Sequence, residues 1–422
     1  MATKALQAMK GTKDVLPQES YQWQHIEALA RECAHNAGYR EIRTPVFEAT
    51  ELFMRGVGDT TDVVQKEMYT FNDRGDRSIT LKPEGTAGAV RAFIESGMVA
   101  DAMPQKFYYL NCPVFRYDKP QAGRFREHHQ FGIEAFGSPS PLMDVDVMSI
   151  LMSLLQKIGF SELSFSINSI GCPNCRPNYL AALKEYFEPH RAELCETCAG
   201  RFDRNPMRIL DCKEHKCGEI AKGAPTGLDF LCDECNEHFD TLKACLDILG
   251  YKYQIDTGLV RGLDYYTKTV FEVITNIGGR ELALGAGGRY DLLVKTLGGP
   301  DVPGVGFGMG MERVIIAALD KGIEFPKPDQ YDVFICTIGD APRGKAFELV
   351  HSLRAKGVKA DTDSMGRSLK AQLKYSGKLA VPYVLIIGED ELNSGVYKLR
   401  DMNAGQEQGI DEAGLIKLLT GV

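Results

Sequence analysis

With 422 residues, 44% of them hydrophobic and 25% charged, the chain has the make-up of a folded protein of two or three domains. A formal net charge of −8 excludes a globally basic nucleic-acid binder but not a local basic surface, since attraction acts over about 8 Å in physiological salt. No apolar run approaches the ~20 residues that span a bilayer, and the first residues lack the apolar stretch of a secretory signal, so a cytoplasmic enzyme with no membrane partner is expected.

In chain order, Ile26, Leu29, Ala30, Cys33 and Ala37 share one face of a helix predicted over 21–37, with Gly38 as its stop. "YREIRTPVFE" alternates like a strand, and Pro45 places it at an edge or bend. Between Lys106 and Gly137, "FYYLNCPVFRY" and "HHQFGIEAFG" flank a polar loop and predict an antiparallel pair. Val147, Ile150, Leu151, Leu154 and Ile158 mark a second helix, ended at Gly159.

The stretch from Cys172 to Cys235 holds eight of the twelve cysteines. Cys172/Cys175, Cys195/Cys198 and Cys232/Cys235 are C-x-x-C pairs, and Cys212/Cys217 is C-x4-C. Without an export signal, such spacings favour metal ligands over disulfides, and eight thiolates would fill two tetrahedral zinc sites. The alternative is reduced cysteines packed as small hydrophobes. His215 and His238 are further candidates, and spacing does not say which pairs share a metal.

Strands resume from Gly258 through "GGRELALGAGGRYDLLV" to "GVGFGMGMERVIIAAL". "FPKPDQ" reads as a linker, after which strand, helix and strand alternate as in a small α/β domain. The boundaries are therefore a mainly antiparallel α+β domain over 1–325, interrupted by a cysteine-rich insertion over 172–250, and an α/β domain over 331–422.

Three features carry chemistry. Gly304, Gly306, Gly308 and Gly310 occupy alternate positions, so on a strand they share a face without side chains. Such a face suits a flat ligand or close packing, and Arg313 follows near a helix start, where anions are favoured. No glycine-rich phosphate loop of either common kind is present. Second, Arg116, Arg124 and Arg126 lie on or near one hairpin, with Gln130 and Glu134 on its return strand. Converging guanidinium groups suit phosphate. Third, in "LVRGLDYYTKTVFEV" the charges of Arg261 and Asp264 precede an apolar strand, where they need a partner or a ligand. Strand alternation would send Tyr265 and Tyr266 to opposite faces.

Together these stretches resemble the motifs of the class II aminoacyl-tRNA synthetases, and within them the histidyl-tRNA synthetase family. "GYREIRTPVFE", "FRYDKPQAGRFREHHQFGIEAFG" and "GVGFGMGMER" are similar to the three class II motifs. "LVRGLDYYT" and "GAGGRYDLL" resemble two histidine-specific motifs, and "LKPEGTAG" an amino-acid-binding loop. The resemblance runs from "KGTKDVLP" almost to the C-terminus. It implies ATP as a substrate with Mg²⁺, histidine and tRNA(His) as partners, and a homodimer built on the first motif.

Carried over by position, the resemblance assigns Arg116 and Arg261 to the α-phosphate as catalytic cations, Arg261 also to the histidine carboxylate, and Arg313 to the γ-phosphate. Glu84 and Thr86 would take the α-ammonium group. Glu134, Tyr265 and Tyr290 would surround the imidazole, with Arg124, Gln130 and Asp264 close by and Tyr266 in support. The family usually has glutamate and arginine where this chain has Asp118 and Lys119. The shorter Asp118 would approach the adenine, and Lys119, which lacks the planar guanidinium, and Gln121 would contact the tRNA acceptor end. His128 stands where the family more often has an aromatic residue. The insertion, by resemblance, would touch the acceptor arm. Arg367, Lys370, Lys374 and Lys378 form a stripe at helical spacing in a segment resembling an anticodon-binding domain, which favours RNA contact over a merely solvated face. A non-catalytic, histidine-sensing relative in histidine biosynthesis is the alternative function. Such proteins typically lack the arginine of the "VRGLDYY" motif and the C-terminal domain.

Overall fold

Helix α1 (Ser20–Asn36), followed along the chain by α2 (Thr50–Val57) and α3 (Thr86–Glu95), buries Trp23, Ile26, Ala30, Cys33 and Ala34, and the chain turns away at Gly38 with φ of +78°. This is a computed structural model, and it describes residues 5–59, 61–119, 123–212, 214–277, 280–327 and 331–421. Two units are distinguished, Met1–Pro326 and Lys327–Val422. Among the described residues no helix is long and apolar enough to cross a membrane.

The strands of the first unit are β1 (Arg40–Glu41), β2 (Phe47–Ala49), β3 (Tyr69–Asn72), β4 (Ser78–Leu81), β5 (Gln105–Phe115), β6 (Glu127–Phe136), β7 (Ser164–Ser169), β8 (Tyr253–Ile255), β9 (Thr267–Ile277), β10 (Arg280–Arg289) and β11 (Gly304–Gly310). Eight of them form one sheet in the order β1-β5-β6-β11-β10-β9-β7-β8. Its six central strands are antiparallel, and β1 and β8 join the edges as parallel neighbours. β2, β4 and β3 make a small separate sheet. "YREIRTPVFE" is thus split around Pro45, because proline cannot donate to a ladder.

Alternation along β6 sorts the layers. Phe131, Ile133 and Ala135 join the core formed with α1, α4 (Pro141–Ile158) and the helices Asp233–Ile248 and Met311–Asp320. Gly132, Glu134 and Phe136 take the opposite side, which α3 (Thr86–Glu95) and the helix Arg176–Phe187 cover. α4 starts where the Ser140 hydroxyl accepts from the Leu142 N–H and Pro141 presets the first turn, and it stops at Gly159 with φ of +117°.

The second unit has β12 (Val333–Thr337), β13 (Ala360–Thr362), β14 (Tyr383–Ile387), β15 (Tyr397–Asp401) and β16 (Glu407–Ile410), ordered β13-β12-β14-β15-β16. The first three are parallel and the rest antiparallel. Helices Arg343–Ala355 and Glu412–Thr420 pack on one face, and Leu369–Lys378 on the other.

One ion pair ties the first unit's sheet to its helices. Arg289, at the end of β10, and Asp144, in α4, are both wholly buried and bonded at 3.0 Å through the arginine Nε. Asp144 also accepts from the Thr269 hydroxyl and pairs with His238 Nε2, each at 2.7 Å, while Arg289 donates to the carbonyls of Ser138 and Ser140. Burial alone would raise the Asp144 pKa, but Arg289 and His238 outweigh it and hold the carboxyl below its ordinary value. The native carboxyl therefore holds its proton less tightly than the unfolded one. Its contribution is complete above the unfolded value of about 3.9 and disappears as pH falls through the native value. Asp144→Ala leaves the buried Arg289 with Asp291 alone, at 3.0 Å, and removes the acceptor of Thr269 and the partner of His238; it is expected to cost about 3 kcal/mol at neutral pH, read from the urea midpoint of unfolding.

Candidate active site

Arg116, Arg124, Arg261 and Arg313 line one cavity of about 350 Å³ together with Gln130 of β6 and Gly308 and Gly310 of β11. Arg116 is oriented by donating from Nε to the Pro83 carbonyl at 2.8 Å, and Arg313 by donating to the Ala283 carbonyl at 3.2 Å. Arg261 pairs with Glu272 of β9, while its buried Nε has no protein partner. Burial, with Arg124 and Arg261 adding like charge, pushes the Arg313 pKa down. His128 lies in the same wall, and burial beside Arg116 and Arg313 pushes its pKa to about 3, so the ring is neutral. Glu67, Asp118, Glu272 and Glu312 line the cavity as well, and Asp118 and Glu272 pair with Arg124 and Arg261; Arg116 and Arg313, bonded to backbone carbonyls, are the guanidinium groups most open to an anion.

The alternate glycines of β11 serve two purposes. Gly308 and Gly310 line the cavity floor. A Cβ at Gly304 would stand 2.3 Å from the Tyr290 ring, and one at Gly306 2.1 Å from the Glu134 carboxylate. Those two positions make room for side chains, so close packing accounts for the first half of the strand, while the second half borders open space.

Next to the cavity is a closed polar cluster. Glu134 is wholly buried and accepts from Thr86 Oγ1 at 2.7 Å, Tyr109 OH at 3.2 Å and Tyr290 OH. Burial pushes its pKa up to about 8, with Glu84 reinforcing the shift and the hydroxyl donors opposing it. Glu84 accepts the N–H groups of Thr86 and Ala87 at 2.8 and 2.7 Å, capping the start of α3. Burial raises its pKa as well. Tyr265 reaches Glu84 at 3.5 Å and meets the Tyr290 ring edge-on at 5.6 Å. Burial pushes the pKa values of Tyr109, Tyr265 and Tyr290 well above the ordinary range, so all three remain donors.

Other expected residues are distributed differently. Arg124 donates to Asp118 at 3.3 Å, and with Gln130 they line the arginine cavity rather than the cluster around Glu134. Asp264 accepts from Asn205 at 3.1 Å and borders a separate cavity with Arg176 and Arg208. Tyr265 and Tyr266 do not point to opposite faces. They lie before β9, outside the ladder that enforces alternation, and their ring centroids are 4.6 Å apart. Lys119 is exposed, and Gln121 lies outside the described residues. Arg367 is not part of the helical stripe, because the helix begins at Leu369. It bonds to Asp363 at 2.7 Å and stacks over Tyr375. Lys370, Lys374 and Lys378 are exposed on that helix.

Tyr109, Glu272, Glu67 and Glu312 were absent from the sequence expectations. Tyr109 looked like one more core aromatic in "FYYLN"; its opposition to Gly132, where a Cβ would collide with its ring, appears only once β5 and β6 pair. Glu272 did leave a signal, as a lone carboxylate inside the apolar run "TVFEVI".

The cysteines divide into two groups, Cys172/Cys175/Cys232/Cys235 and Cys195/Cys198/Cys212/Cys217, each with its sulfurs within 4.8 Å of one another. Sγ···Sγ separations of 3.6, 3.9 and 3.8 Å link Cys172 to Cys175, Cys172 to Cys232 and Cys195 to Cys212. Four sulfurs about 2.3 Å from a tetrahedral zinc stand about 3.8 Å apart, so both groups fit the ion. His215 is exposed and His238 is taken by Asp144; neither belongs to a group.

Comparison with known proteins agrees with this geometry. Residues 11–176 and 221–314 match the family "Histidyl-tRNA synthetase", and 332–421 match "Anticodon binding domain". The histidine–tRNA ligase of Caldanaerobacter subterraneus subsp. tengcongensis is 54% identical over 97% of either chain. That of Desulforamulus reducens is 52% identical over 96% of this chain and 97% of its own. The crystal structure of apo histidyl-tRNA synthetase from S. aureus superposes with a TM-score of 0.85 at 37% identity, covering 99% of this chain and all of the other. A likeness of this extent, with the arginine cavity and the hydroxyl-clad carboxylate in place, means that the chain belongs to the histidyl-tRNA synthetase family.

Proposed function

We propose that the chain joins histidine to ATP, forming histidyl-adenylate and pyrophosphate, and then transfers the histidyl group to the 3′ end of tRNA(His). The observation that carries this reading is the cavity of four arginines lying against a closed pocket built on Glu134. A non-catalytic histidine sensor would have no use for the arginine cavity.

In the first step an oxygen of the histidine carboxylate attacks the α-phosphorus, and the bond to the bridging oxygen of pyrophosphate breaks. Negative charge crowds on the α-phosphate oxygens, where Arg116 and Arg261 would oppose it, and Arg313 would hold the γ-phosphate. The partnerless Nε of Arg261 is a ready donor for the substrate carboxylate or the phosphate. Glu84 keeps lone pairs free beyond its two N–H bonds, so with Thr86 it would take the ammonium group. Glu134, Tyr265 and Tyr290, joined by Tyr109, would hold the imidazole, with Tyr266 beside Tyr265, while Arg124 and Gln130 stand in the arginine cavity and Asp264 borders a separate one. Such a site rejects apolar amino acids, which would leave its buried groups unpaired.

Glu67, Glu272 and Glu312 line the same cavity and provide the oxygen donors that Mg²⁺ prefers. The ion, when bound with ATP, supplies charge neutralisation at the phosphates. Asp118 would face the adenine, and Lys119, Gln121, Lys370, Lys374 and Lys378 the tRNA. Each four-cysteine group would hold a structural Zn²⁺, in a cytoplasm that keeps thiols reduced. Val46 and Phe47, in the first class II motif, are exposed, as is Phe71 on the same small sheet, and these apolar side chains suit a face covered by a second copy.

Pyrophosphate exchange into ATP, measured with each of the twenty amino acids, should depend on histidine. Exchange with none of them, alongside tight histidine binding, would return the sensor reading. Arg261→His should lower exchange by two orders of magnitude or so while leaving histidine affinity within a few fold, as loss of a transition-state contact requires. If histidine takes the ionised form of Glu134, its affinity should rise with pH and level off above about 8; Glu134→Gln should abolish that dependence in calorimetric titrations. Replacing Lys370 and Lys374 by glutamate should raise the KM for tRNA about tenfold and flatten its salt dependence. An unchanged KM would make that helix face merely solvated.

A further inference from the structure

The chain from 258 to 266 carries Arg261 and Tyr265 but lies outside regular secondary structure, so the sheet ladder does not hold its backbone. Its carbonyls are bonded from elsewhere. That of Leu259 accepts from Asn168 Nδ2 at 3.1 Å, that of Arg261 from Arg208 Nη1, and that of Tyr266 from Arg176 Nη2. Two of these three donors belong to the cysteine-rich stretch. Arg176 directly follows Cys175, and Arg208 lies in the turn Pro206–Ile209, shortly before Cys212. From the same turn region Asn205 donates to Asp264 at 3.1 Å, and Arg201 pairs with Asp62.

The two cysteine groups stand on unequal foundations. The first is tied to the sheet, since Glu234, between Cys232 and Cys235, pairs with Lys268 at 2.7 Å, and His238 on the same helix reaches Asp144. The second closes a lobe of short helices, Glu196–Arg204, Pro206–Ile209 and His215–Ala221, of nine, four and seven residues. Helices of this length are not stable alone, and the lobe's chain ends converge on Cys195, Cys198, Cys212 and Cys217. Asn205 and Arg208 project from that lobe onto the chain 258–266, and Arg201 onto Asp62.

We infer that zinc at Cys195/Cys198/Cys212/Cys217 fixes the backbone of Arg261 through Arg208 and Asn205, and so sets the rate of histidine activation. Arg208 and Asn205 are positioning residues, and the inference rests on the zinc reading proposed above. It makes the insertion part of the first chemical step, before any tRNA is bound.

The test uses the full-length protein, with zinc measured per chain and histidine-dependent pyrophosphate exchange on the same samples. Two equivalents of zinc are expected in the unaltered protein; full exchange without zinc would overturn the zinc reading and the coupling together. The double substitution Cys212→Ser/Cys217→Ser should retain one equivalent and lower the exchange kcat about tenfold or more, since a displacement of about an ångström at a reacting group has effects of that size. One equivalent with kcat within twofold of the unaltered protein overturns the coupling alone. Arg208→Ala leaves every ligand in place. It should keep both zinc ions, lower kcat about tenfold with a smaller change in the KM for ATP, and be partly rescued by Arg208→Lys. Both ions present with unchanged kcat would overturn the brace while the zinc reading stands, and this arm decides the matter if the double substitution fails to fold.

Discussion

A carboxylate buried without a cation has to be clothed in hydroxyl groups, and Glu134 imposes that condition on the whole pocket. Its donors come from three places far apart in sequence: the first residue of α3, the middle of β5 and the residue after β10. Gly306, paired with Glu134 across β6 and β11, leaves the space that the carboxylate fills. A slip of one residue in that pairing would turn Glu134 into the hydrocarbon layer around Phe131 and Ile133. Strand register and helix start are thus both bound to one side chain.

The polarity of the site follows from how charge is divided about that strand pair. The anionic half holds Glu84 and Glu134, each raised towards neutrality by burial and screened by hydroxyls or a helix start. The cationic half gathers four arginines around a neutral histidine, with Asp118 paired to Arg124 and Glu272 to Arg261. A substrate with hydrogen-bonding nitrogen groups at one end and a carboxylate at the other matches this division without further movement. Arg124 and Arg261 add like charge beside Arg313, and an anion in the cavity would offset that repulsion further than Glu272 does.

Arg261 joins the two halves, and its chain is the least regular part of the site. The sheet supports β9 from Thr267 onward, but the preceding residues depend on Asn168, Arg208 and Arg176 for their carbonyl bonds. Part of the support for the chain that carries Arg261 therefore comes from a segment whose own helices are short. The cysteine groups in that segment have the spacing of metal sites, the usual means by which small lobes with little apolar core are held.

Much of this was legible in the residues. Periods of 3.6 and 2 marked α1, α4, the β5–β6 pair and β11, and the glycines at 38 and 159 stop their helices in the left-handed conformation that glycine adopts most freely. The arginines, the alternate glycines and the motif order were enough to indicate the family. Other features depended on neighbours distant in the chain. Tyr109 reaches Glu134 because β5 lies beside β6, Asp264 turns to Asn205, and Arg367 leaves the lysine stripe for Asp363 and Tyr375. By itself the sequence determined which residues repeat, alternate and stop, since those are properties of the local backbone. Only the tertiary structure decided which cysteines form a group and which groups surround Glu134, because such partnerships arise when segments far apart in sequence pack against each other.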